Sequence, residues 1–268
     1  MLANWRGSLY LADMKLIRFA SLAFIGLLSL TGCQTQPAKP LKALFLTGGG
    51  YHDYVKLAPF LTNSFGQRVN VSFDVDFTMD RLANKNFADG YDVVVYDLCF
   101  DEAPPAELEN ALDTIRAGKP AVMIHCAVHA FRRVKPMIRE WENGVGMRSK
   151  VHDRFEPFQV VKLDPQSPIL AGWPDDWKTG GDELYQTIEF LPNSHPLLSA
   201  KSPVDGRVHI VCWTQTYGKG RVFATTLGHD MTTAEDPAYL GLLARGLLWS
   251  CHKLDSQGRA IGGYGKGQ

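Results

Sequence analysis

Four histidines, His52, His125, His152 and His229, lie near the carboxylates Asp53, Asp182, Glu183 and Asp230, either in sequence or at the expected ends of strands. Imidazoles and carboxylates carry out general acid/base catalysis and ligate divalent metals. Gathered in one place, these groups could move a proton or hold an ion. None shows the short-range spacing of a zinc motif such as H-E-x-x-H, so a divalent metal site would have to be assembled from distant segments. The run Gly48-Gly49-Gly50 before His52 is too short and wrongly spaced for a dinucleotide or phosphate loop. It reads instead as a turn that presents His52, either as a site group or as a solvated loop histidine. His125 reads as a ligand or acid/base group, or as a buried structural imidazole. Cys126 fails as the nucleophile of a strained elbow: small residues are needed two places either side, and Ile124 and Val128 stand there. His195 and His209 read as loop and strand-surface residues, and His252 as a cation at a helix end.

Positioning such residues requires a scaffold, and the hydrophobic pattern supplies one. Short apolar or extended runs at 43–46, 69–75, 91–97 and 121–125 alternate with helical patterns at 55–65 and 104–117. Strands buried on both faces and separated by helices predict an α/β fold, a flavodoxin-like doubly wound and mainly parallel sheet. The second half reads as extended at 158–163, 183–190, 208–214 and 221–227. A tight hairpin falls at Tyr217-Gly218-Lys219-Gly220, and a final amphipathic helix over 237–252. In open parallel sheets ligands bind beyond the carboxyl ends of the strands. The expected ends hold His52 and Asp53, Asp97, His125, Trp213, and His229 with Asp230. The Gly-rich segment 254–268 is expected to be a flexible tail.

The chain has 268 residues and equal numbers of basic and acidic groups, 28 of each, so its balance offers no pull toward nucleic acid. Near the amino terminus, Lys15 and Arg18 precede an apolar run over 19–30 that ends in Leu30-Thr31-Gly32-Cys33. The run is too short for a spanning helix, which needs about 20 residues. Its ending is that of a bacterial lipobox, in which Cys33 is acylated after cleavage. Residues 1–33 are therefore expected to be a lipoprotein signal ending at the acylated Cys33, with the true start at Met14. Residues 34–40 form a Pro-containing tether, and 41–253 one domain. That places the protein in the bacterial cell envelope, lipid-anchored to a membrane and facing the periplasm or exterior. Cys99, Cys126, Cys212 and Cys251 are widely spaced in apolar contexts and read as buried thiols.

The blocks Leu44-Phe45-Leu46-Thr47-Gly48-Gly49-Gly50-Tyr51-His52, Ile124-His125-Cys126-Ala127, Asp182-Glu183-Leu184-Tyr185, and Tyr217 to Phe223 followed by Thr226-Leu227-Gly228-His229 resemble the ThuA-like, or trehalose-utilisation, family. The resemblance covers about residues 41–253. It implies a fold similar to class I glutamine amidotransferases without their nucleophile arrangement. It also implies a role in sugar catabolism on disaccharides or their keto derivatives. His125, Glu183, Tyr185 and His229 match family positions, and His52 matches a histidine common in the first loop. Cys126 stands where a Ser is usual, and Ser167-Pro168 where a His-Pro is usual.

Together these readings assign catalytic roles to His125, Glu183 and His229, ligand-binding roles to His52, Tyr185 and Trp213, and lipidation to Cys33. A carbohydrate would stack on Tyr185 and Trp213 while a histidine and a carboxylate remove a proton beside a sugar carbonyl. The alternative is a carbohydrate-binding lipoprotein that uses the same cleft without catalysis.

Overall fold

The computed structural model describes residues 38–135 and 137–266. The expected signal, Cys33 and most of the tether lie outside them. Among the described residues no helix is long and apolar enough to cross a membrane.

The first strand, β1 (Leu41–Gly48), pairs in parallel with β2 (Val71–Asp76) on one side and β3 (Val93–Leu98) on the other. Next come β4 (Ala121–Ile124) and β10 (Gly220–Thr225), also parallel. The order β2-β1-β3-β4-β10 is that of a flavodoxin-like sheet, with its topological switch between β1 and β3. The sheet continues antiparallel through β9 (Val208–Tyr217), β8 (Ser194–Lys201) and β6 (Val160–Lys162). A separate ribbon pairs β5 (Met147–His152) with β7 (Tyr185–Phe190).

Period-two alternation divides β1 between two cores. Ala43 and Phe45 pack with Leu57, Leu61 and Phe65 of α1 (Tyr54–Arg68) and Leu243 and Leu247 of α5 (Pro237–Ser250). Leu44 and Leu46 face the opposite layer, with Leu108 and Leu112 of α2 (Pro105–Arg116) and Trp141 of α3 (Ile138–Val145). Asp53 caps α1 by accepting from Lys56 N, and Asp230 caps α4 (Met231–Ala234) by accepting from Thr232 N. Two of the four carboxylates grouped with the histidines in sequence therefore serve helix ends.

The expected elements form, with shifted ends. The strand expected from residue 69 starts at Val71 because Val69 closes α1, its N–H donating to Phe65 O. Strand β8 escaped the pattern because Pro196 reads as a breaker; it sits where the pairing with β9 shifts register, a place where a missing N–H is tolerated. The segment after 254, expected to be flexible, is instead tied down through residue 266. Tyr264 O accepts from Asn70 N, Lys266 N donates to Arg68 O, and the Tyr264 ring packs on the α1 and α5 core. One aromatic ring and a free edge at the start of β2 outweigh the low apolar content. His209, expected at the surface, is fully buried, with Thr187 N donating to its Nδ1. His252 accepts from Arg221 through Nδ1, and its burial, together with that cation, disfavours the charge expected on it.

Candidate functional site

The ends of β1, β4 and β10 and the turn before β7 meet at one edge of the sheet. After β1 the chain turns through Gly49, at φ +107°, where any Cβ would collide with the Cys99 backbone. Only glycine permits this approach, and it swings His52 over the strand ends. His125 follows β4 directly and holds φ +46°, a left-handed position that costs energy for a residue with a side chain. The strained position after β4 is thus a histidine, and Cys126 lies one residue beyond it in a 3-10 turn.

The His125 Nδ1 lies 2.6 Å from Thr226 O, and since a carbonyl only accepts, Nδ1 carries the proton. Its Nε2 is thereby directed into the site, 3.5 Å from Glu183 Oε2 and 3.4 Å from Tyr185 OH. The same Oε2 lies 3.3 Å from His229 Nδ1, a charge contact without hydrogen-bond alignment, and Oε1 lies 3.6 Å from His152 Nδ1. The rings of His52, His125 and His229 crowd together, with centroids 4.7 Å apart from His52 to each partner and 5.4 Å from His125 to His229. Asp182, fully buried, organises the backbone beneath them: its carboxylate accepts from the N–H groups of Gly228, His229 and Glu183.

Electrostatics sort these groups. Burial pushes the Glu183 carboxyl up, but the facing His125 and His229 outweigh it and hold the group below the usual carboxylate range. The Glu183 carboxylate raises His229 above the ordinary imidazole value. Burial, reinforced by His125 and His229, pushes His52 down to about 3. Behind them, burial pushes Asp97 at the end of β3 up to about 7.

Residues proposed from sequence divide accordingly. His52, His125, Glu183, Tyr185 and His229 come together, and His152 joins at the rim. Trp213 does not: it is fully buried, its Nε1 donates to Val145 O at 2.9 Å, and Phe190 packs against its ring. Trp213 is not a strand end: β9 runs on to Tyr217, and Trp213 pairs with Ala224 inside the strand, its side chain packed in the layer of α2 and α3. Tyr185 reaches the site by its hydroxyl, but its ring is covered by His129, stacked 3.9 Å away, and cannot lie under a sugar. The rings exposed at the site are Tyr51, whose hydroxyl donates to Asp101, and Phe155, which packs on His229. His129 and Arg132 also line the cavity and carried no signal in sequence beyond their nearness to His125. Cys99 and Cys126, read as thiols, are joined as a disulfide because the loops after β3 and β4 converge here; Cys212 is a buried thiol, and Cys251 a partly buried one.

The cavity holds about 160 Å³. A larger trough of about 660 Å³, near Tyr91, Asn110 and Lys119, lies at the amino ends of β3 and β4, away from the histidines. His52, His125 and His229 each offer a ring nitrogen, all within 4.8 Å of one another. The donor set fits a divalent ion such as Zn²⁺, and the His125 Nδ1 bond to a carbonyl is the outer-shell contact that metal-bound histidines make.

Fold and site together define a flavodoxin-like α/β protein that carries a histidine–carboxylate cluster where the strands end. The chain belongs to the ThuA family, whose model, described as trehalose utilisation, matches residues 42–250. Membership gives it a carbohydrate-related role. Among solved structures, it is similar to a putative ThuA-like protein from Parabacteroides merdae, at 21% identity and TM-score 0.66, covering 84% of this chain and 92% of that one. A second, from Bacteroides uniformis, has 17% identity and TM-score 0.67, covering 82% and 95%. A β-galactosidase from Bacillus circulans sp. alkalophilus has 12% identity and TM-score 0.57, covering 80% of this chain and 32% of that one. At these identities the likeness is one of fold. A search of curated proteins finds no match.

Proposed function

We propose that the protein is a cell-envelope enzyme, tethered through an acylated Cys33, that acts on a disaccharide or keto-sugar by acid/base chemistry. The observation that carries this reading is the meeting of His125 Nε2 with Glu183 Oε2 at 3.5 Å. With Nδ1–H committed to Thr226 O, a neutral His125 would set a lone pair against a carboxylate. Nε2 is therefore the atom of His125 that can accept a proton, take a hydrogen bond from the Tyr185 hydroxyl or hold a metal ion beside the carboxylate.

The proton-handling pair is His229 and Glu183. The carboxylate stays ionised and raises the proton affinity of the imidazole, so His229 can give a proton to a sugar oxygen and recover it. His52 stays neutral, and its unpartnered Nδ1 is available to a hydroxyl or an ion. Alternatively, a divalent ion held by His52, His125 and His229 would polarise a carbonyl oxygen when bound, with His229 then a ligand in place of a proton donor.

The test is NMR of the purified full chain with trehalose and with a keto derivative of it. Turnover of either, reduced by at least ~10²-fold in Glu183→Gln, is expected. Sugar binding without turnover, equal in wild type and Glu183→Gln, would leave a carbohydrate-binding lipoprotein instead.

A further inference from the structure

The disulfide Cys99–Cys126 ties the end of β3 to the turn that carries His125, with Cα atoms 5.2 Å apart. Both residues are buried, yet Cys126 forms part of the cavity wall and can be reached from it. A ring nitrogen of His52 and the two sulfurs lie within 4.8 Å of one another. The His52 Nδ1 is buried and has no hydrogen-bond partner in the protein. Arg132 Nη2 stands 3.6 Å from Cys99 Sγ, a cation that favours thiolate over thiol.

We propose that Cys99 and Cys126, once reduced, form with His52 a binding site for a thiophilic d¹⁰ cation, Zn²⁺ or Cd²⁺, that shares only His52 with the three-histidine set. A dithiol supplies the two electrons and two protons: the sulfur–sulfur bond breaks, each sulfur leaves as a thiol, and the dithiol closes to its own disulfide. Metal binding then releases both thiol protons to solvent. Two thiolates balance the charge of the ion, a neutral His52 is the third ligand, and the fourth position faces the cavity. Tetrahedral coordination at ~2.3 Å from sulfur and ~2.0 Å from nitrogen spaces the donors roughly 3.4–3.8 Å apart, so the sulfurs part and His52 closes in. His52 belongs to both donor sets. An ion held by the cysteines therefore removes a ligand from the histidine cluster, and each site excludes the other.

The test compares the full chain before and after dithiol treatment, with the dithiol removed under nitrogen and Cd²⁺ as the probe. The reduced chain is expected to bind one Cd²⁺ with the ultraviolet thiolate-to-cadmium charge-transfer band, which the oxidised chain lacks. Cys212 and Cys251 are free in both states, so the difference isolates the pair. His52→Ala should weaken the reduced site at least ~10-fold while both thiols still titrate, and His125→Ala should keep the band. A reduced chain without the band, a bond that the dithiol does not open in the folded protein, or an undiminished band in Cys126→Ser would each overturn the proposal.

Discussion

Glu183 Oε2 lies 3.3 Å from His229 Nδ1. The contact couples the two titrations: the carboxylate is held below its usual range and the imidazole above its own. Glu183→Gln should therefore return His229 toward the ordinary value, which NMR titration of the histidine ring reads directly. For the raised imidazole, the stabilisation is fully present below the unfolded value of about 6.5 and is lost as pH rises through the folded one. The variant should lose stability below that range and little above it. An unchanged His229 titration would refute the coupling.

His129 is buried against Tyr185, its Nε2 2.9 Å from Ser149 Oγ. Burial, aided by Arg132, pushes it down to about 3. Between about 6.5 and 3 the unfolded chain binds a proton there that the folded chain does not, so stability falls as pH drops through that window. His129→Phe keeps the ring stack and should flatten the slope by up to ~1.4 kcal/mol per pH unit, the contribution of one proton. Urea midpoints at several pH values measure it, and a wild-type slope in the variant would count against the assignment.

Cys126 is bonded to Cys99 and sits one residue beyond the strained position, so it is not an obligatory nucleophile. Cys126→Ser should keep most turnover on the substrate that the wild type accepts. Opening a bridge across a sequence separation of 27 should cost about 2–4 kcal/mol in urea denaturation. Complete loss of turnover in a folded variant would defeat the claim.

The tether is tested at Cys33. One acyl chain binds a membrane only marginally, whereas several anchor firmly. Cys33→Ser should accumulate as an unprocessed precursor on a gel and take up no labelled fatty acid. Normal processing of that variant would end the lipoprotein reading.

Much of the scaffold was legible because burial on both faces leaves an unbroken apolar run, as in Val93, Val94 and Val95 of β3, and the helices between announce themselves by period and by Pro at α2. The switch-point rule then directed attention to His52, His125 and His229. Strand β8 with Pro196, the ribbon of β5 and β7, and the docked Tyr264 were not legible, since each depends on a partner distant in sequence.

By itself the sequence determined the class of fold, through the alternation of buried strands and helices, and the residues that end the strands. It also ruled out an elbow at Cys126, because Ile124 and Val128 crowd the turn. Tertiary structure decided which strand ends share an edge. Where a strand stops is set by its pairing partner and leaves no sharp local pattern, so Trp213 looked like a strand end equivalent to His125, whereas β9 pairs with β10 as far as Tyr217 and buries the Trp213 ring in the α2 and α3 layer. The same holds for charge. Glu183 is an ordinary carboxylate in sequence, and only the approach of His125 and His229 from two distant loops holds it below the usual carboxylate range in spite of its burial, because Coulomb energies depend on ångströms in space and not on residues along the chain.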